Sequence, residues 1–133
     1  MAVIKCLLAS IVLVAAAASN TLAHHSFAAE YDLKKPVTMT GAVTKVEWLN
    51  PHVRFYADVK DPSGKVENWE FELGSGTSLV RQGWTRTSLK PADVITVDGF
   101  LARDGSRLVN AVTVSTNGRK LFAGSSVDNA PAR

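Results

Sequence analysis

The sequence predicts a mainly β fold: a small five-stranded barrel with one short helix between strands three and four. Three observations predict it. Residues 53–60 and 68–73 alternate apolar and polar side chains with the period of two that a half-buried strand needs. Asp61-Pro62-Ser63-Gly64 joins them as a turn, so the pair reads as a hairpin. The first strand candidate, residues 37–49, holds Gly41 inside it and moves its apolar residues from one face to the other. A bent strand of that kind belongs to two sides of a closed barrel.

The chain opens on a different signal. Lys5 gives a short positive start, residues 6–18 are apolar or small with Ser10 the one polar member, and residues 19–23 are polar and end in small residues. This is the three-part layout of an export signal, and the apolar run falls short of the roughly 20 residues of a membrane span. Residues 1–23 therefore read as a signal peptide, residues 24–36 as an N-terminal arm, residues 37–122 as the barrel domain and residues 123–133 as a disordered tail. Thr21-x-Ala23 permits cleavage before His24, and Ala16-x-Ala18 permits cleavage before Ser19. Export to the periplasm follows, with no stable membrane insertion after cleavage.

Composition narrows the possibilities. Removal of 23 residues from 133 leaves 110, enough for one domain with one core. Lys5 is the one charge removed, so the remaining chain carries 14 basic and 12 acidic residues, a net +2. That balance gives no case for nucleic acid, and the basic residues are scattered. Cys6, the sole cysteine, lies in the leader, so the processed chain has no disulfide, thiolate metal site or cysteine nucleophile. A monomer is expected, acting on an unidentified periplasmic partner or small ligand.

The elements follow in order. In the arm, Phe27 and Tyr31 could pin the chain to the body. In the first strand Val37, Met39, Gly41 and Val43 share one face, and Ala42, Thr44, Val46 and Trp48 the other. In the second, Val53, Phe55, Ala57 and Val59 point inward. In the third, Trp69, Phe71 and Leu73 do so. The outer face of this hairpin would set Arg54 and Lys60 near Glu70 and Glu72 as surface fasteners. Thr77 caps a short helix that Gly83 ends. Residues 94–101 form the fourth strand, Asp104-Gly105 a turn and residues 107–115 the fifth, with Leu108, Val112 and Val114 on one face. After Asn117-Gly118 the chain trails off. Strand, strand, strand, helix, strand, strand is the order of the oligonucleotide/oligosaccharide-binding (OB) barrel. A small β-sandwich or open antiparallel sheet is the rival.

Ala23-His24-His25-Ser26-Phe27, Thr40-Gly41-x-Val43, Glu47-Trp48-x-Asn50-Pro51-His52, Trp69 and Asp104-Gly105 carry a resemblance. The chain resembles an uncharacterised family of small exported bacterial proteins, classed as a domain of unknown function. The resemblance spans nearly all of the processed chain and implies a secreted, OB-like domain. It implies no activity.

Three histidines carry the sharpest chemistry: His24, His25 and His52. Cleavage before His24 would give it a free α-amine beside its ring nitrogen, and His25 could add its backbone amide. His52, displayed by the Asn50-Pro51 turn, would be the partner from the body. Amine and imidazole nitrogens in tetragonal array suit copper(II). Zinc fits less well without cysteine. Glu30, Asp32 and Glu47 are possible further oxygen ligands. The plainer alternative is a solvated terminus and a histidine that merely bonds within its turn. A second candidate surface is Trp48, Arg54 and Tyr56, for a ligand without metal. No Gly-x-Ser-x-Gly, phosphate loop or His-Glu-x-x-His motif occurs, so a binding module is expected rather than an enzyme, with a redox copper enzyme the third option.

Overall fold

The computed structural model describes residues 27–124. Residues 1–26, which include the expected leader, His24 and His25, and residues 125–133 lie outside the described residues.

The fold is mainly β. Its strands are β1 (Tyr31–Glu47), β2 (Arg54–Lys60), β3 (Val66–Glu72), β4 (Val94–Ala102), β5 (Leu108–Thr116) and β6 (Arg119–Phe122). One short helix, α1 (Gly76–Arg81), lies between β3 and β4. The sheet order is β3-β2-β1-β4-β5-β6, and β3 also pairs with β5, so five strands close into a ring. The β3–β5 contact is parallel and the other pairings are antiparallel.

Alternation in β2 places Phe55 and Ala57 fully inside the ring, with Val53 and Val59 beside them. Phe71 of β3 stacks on Phe55 with ring centres 4.8 Å apart. The face switch in β1 has a definite cause. Val43 pairs with Ala57 and Lys45 with Tyr56, so Thr44 is an extra residue, a bulge. Before it Val37, Met39 and Val43 turn inward; after it Val46 does. Gly41 supplies close approach instead of the bend itself: a Cβ there would meet the Asp58 carbonyl oxygen at 2.5 Å.

Several expected details differ. β1 begins at Tyr31, six residues ahead of the expected start. The inward residues of β5 are Val109, Ala111 and Val114, not Leu108, Val112 and Val114. Asp98 pairs with Thr113 and Gly99 with Ala111, so Val112 is a second bulge that resets the alternation. The helix is capped by Ser75, whose hydroxyl accepts from the Ser78 amide at 3.1 Å, two residues before the expected Thr77. The expected end at Asn117-Gly118 is a hairpin: both residues have positive φ, 50° and 74°, and β6 returns along β5. Ala123, beyond the expected domain boundary, is fully buried and accepts from the Gly74 amide at 2.8 Å. Trp84 plugs the interior beside this segment and donates its indole N–H to the Phe122 carbonyl at 2.8 Å. Among the described residues no helix is long and apolar enough to cross a membrane.

Candidate functional site

The β1–β2 connection carries His52. Its Asn50–Pro51 bond is cis. Val53 enters the ladder by exchanging bonds with the end of β3, its amide to the Gly74 carbonyl at 3.0 Å and its carbonyl from the Leu73 amide at 2.9 Å. That pairing brings the His52 ring to the Leu73 carbonyl, with Nδ1 3.0 Å from the oxygen. A carbonyl oxygen only accepts, so Nδ1 donates. In the neutral ring Nε2 then holds the lone pair, and it has no hydrogen-bond partner among the described residues. This is how proteins orient a metal-binding imidazole, through a bond from the other ring nitrogen.

The end of the arm reaches the same neighbourhood. Residues 27–30 form a helical turn ahead of β1. Arg103 holds that turn, donating its amide to the Glu30 carbonyl at 2.9 Å and its Nε to the Ala28 carbonyl at 2.6 Å. Tyr31 is buried, at 1% exposure, and its ring lies 5.2 Å from that of Phe27. Burial raises the Glu30 carboxyl above the ordinary range; Glu72 adds to this, while Arg54 and His52 oppose it. Glu30, His52, Arg54 and Glu72 thus act on one another across the end of the ring.

Arg54 is the hub of the charges. It donates to Glu70 at 2.5 Å and to Glu72 at 2.9 Å, and Glu72 is almost fully buried. Lys60 takes no part in this group, because the register sets it opposite Val66 at the other end of the hairpin. The Tyr31 hydroxyl lies close enough to the Glu72 carboxylate to be coupled to it, but no hydrogen bond of normal geometry reaches it from the described residues. Burial first, and then the charges of Glu72 and Glu30, push its ionisation far above the usual tyrosine value.

A prediction follows for Tyr31→Phe. It removes an unpartnered buried hydroxyl, so stability at neutral pH should be unchanged or higher by up to about 1 kcal/mol. In the wild type the unfolded chain ionises this tyrosine first. Stability therefore falls as pH rises past the ordinary value of 10.0. The slope from one such group is at most about 1.4 kcal/mol per pH unit. Urea unfolding on either side of that pH should show a smaller loss in the variant, with Tyr56, whose hydroxyl is also raised by burial and by Glu70 and Glu47, supplying part of the remainder.

The other expected site residues are spread out. Arg54 is engaged as described. Tyr56 donates to Glu47 at 3.3 Å, and the Lys45 ammonium sits 5.5 Å over its ring. Glu47 also pairs with Lys45, and Asp32 lies 3.9 Å from Arg103, so of the three possible oxygen ligands Glu30 alone is coupled through its charge to His52. Trp48 is half-buried and lines a separate groove with Val80, Arg81 and Arg86, to which Arg54 and Tyr56 do not contribute. Sequence reasoning did not single out Arg81 or Arg86. The available signal was a valine beside an arginine on the outer side of a very short helix.

Among the described residues no group of three His, Cys, Asp or Glu side chains is placed to hold a metal ion. A metal at His52 would need ligands from the chain before residue 27.

The chain belongs to a family of unknown function, DUF6152, whose model matches residues 11–111. No curated protein matches it.

Proposed function

We propose that this is an exported periplasmic copper-binding protein, an OB-like barrel whose processed N-terminus and His52 hold copper(II) together. The observation that carries the reading is the His52–Leu73 bond, which leaves Nε2 as a directed nitrogen donor. The arm supports it. Only two residues, His25 and Ser26, separate His24 from Phe27, a reach of about 11 Å at most over three chain steps, and the turn at 27–30 already shares an electrostatic environment with His52. Cleavage after Ala23 would add the α-amine and ring of His24, with His25 beside it. Amine and imidazole donors favour copper(II) over the other common divalent metals. The closed ring in the order β1-β2-β3-β5-β4, with α1 between β3 and β4, supports the OB-like reading. Carrying or sequestering the metal fits better than catalysis, since among the described residues no nucleophile is hydrogen-bonded to His52.

Calorimetric titration of the exported protein with copper(II) tests this. One ion per chain is expected, and His52→Ala and His24→Ala should each weaken binding by at least about tenfold. Equal affinity in wild type and both variants overturns the proposal. An exported chain that begins at Ser19 overturns it as well, because His24 would then lack a free amine.

A further inference from the structure

The groove beside α1 is built differently from the rest of the surface. It encloses about 510 Å³ between the β1–β2 connection and the helix, within the size range of small-molecule sites. Its apolar surface is Trp48, Leu49 and Val80, with Leu49 at 50% and Val80 at 59% exposure. Leu79 points into the core, so the helix turns its next residue, Val80, outward into the groove. The indole of Trp48 is a fixed wall. A Cβ on Gly76 would come within 3.2 Å of it, and the Arg86 guanidinium lies 5.4 Å over its ring.

The charges are one-sided. Among the described residues no acidic side chain lines the groove, and both Arg81 and Arg86 do. Elsewhere Arg54, Arg103 and Arg107 each face a carboxylate, and Arg119, away from the groove, faces none among the described residues. Arg81 and Arg86 have no ion-pair partner among the described residues. Two guanidinium groups beside exposed Leu49 and Val80 and the half-buried Trp48 form a surface complementary to an anion with an apolar body. Guanidinium matches carboxylate geometry in a bidentate way that ammonium does not.

We infer that this groove binds a small apolar carboxylate, with the carboxylate on Arg81 and Arg86 and the hydrocarbon part against Leu49, Val80 and the Trp48 indole. His52 does not line the groove, so the inference stands apart from the copper proposal.

The test is a nuclear magnetic resonance titration of the ¹⁵N-labelled exported protein, kept metal-free with chelator. The probes are 2-naphthoate and its uncharged amide. Saturable shifts are expected at the Trp48 indole N–H and at the amides of Leu49 and Val80. Arg81→Gln with Arg86→Gln should weaken naphthoate about tenfold or more, and the amide should bind the wild type about as weakly as naphthoate binds that variant. Val80→Asp, at an exposed site that leaves the core intact, should also abolish saturation while the spectrum stays folded. Shifts centred on another surface, no saturable shift at millimolar naphthoate, equal binding of acid and amide, or unchanged binding in the folded variants would each overturn the inference.

Discussion

Phe71→Ala is expected to lower stability by about 3–5 kcal/mol, the range for emptying a large aromatic from a packed core. Phe71 is fully buried and stacks on Phe55 with an interplanar angle of 12°. Its position adds to the cost. It pairs with Phe55 of β2 on one side and Val109 of β5 on the other, so it sits where β3 closes the ring. Small domains have only about 5–15 kcal/mol in total. At about 4–8 °C per kcal/mol for a domain of this size, the melting temperature should fall by about 12–40 °C. Val66→Ala, on the same strand but 53% exposed, should change it little. Thermal unfolding followed by circular dichroism separates the two. Equal effects would mean that β3 does not close the ring as described.

Gly99→Ala is expected to cost about 3 kcal/mol, at the upper end of the overpacking range. The requirement at Gly99 is room. A Cβ would stand 2.1 Å from the Asn110 carbonyl oxygen and 2.8 Å from a Val109 methyl. The first of these is backbone in the neighbouring strand, at the point where the Val112 bulge shifts the register, so relief would require β4 and β5 to separate. Gly105→Ala makes a useful contrast. Its φ of 79° would strain an alanine, yet nothing lies near a Cβ there, and the expected loss is about 1 kcal/mol. Urea unfolding of the two variants checks the order.

Much of the fold is legible in the chain because the strands that enclose the core are half-buried. In β2 the alternation of Val53, Phe55, Ala57 and Val59 with Arg54, Tyr56 and Asp58 is unbroken, and the structure follows it residue by residue. The face switch in β1 is visible because apolar residues flank the bulge on both sides. In β5 the same device hides itself: Leu108, Val109, Val112 and Val114 are apolar on either reading, so only the pairing with β4 shows which set turns inward. β6 is missed for a different reason. Asn-Gly signals a two-residue hairpin as readily as an end, and the residues after it, Arg119-Lys120, look like surface.

The site divides along similar lines. His52 stands out locally because a rigid turn displays it. Its partner, the Leu73 carbonyl, is 21 residues away and is brought near only by the Val53–Gly74 ladder contact. Arg54 with Glu70 and Glu72 could be read as cross-strand neighbours, but the register decides that Lys60 is excluded. Arg81 gave only the weak sign of a valine beside an arginine on a very short helix, and Arg86 gave none. An unpaired cation becomes informative only when the pairing of Arg54, Arg103 and Arg107 elsewhere on the ring is known.

The most direct measurement is pulsed electron paramagnetic resonance on protein whose chain begins at His24, with one equivalent of copper(II) added. The account predicts nitrogen couplings from an amine and from imidazoles, with one imidazole coupling lost in His52→Ala and the amine coupling lost when a residue is added ahead of His24. Couplings unchanged in His52→Ala would contradict it.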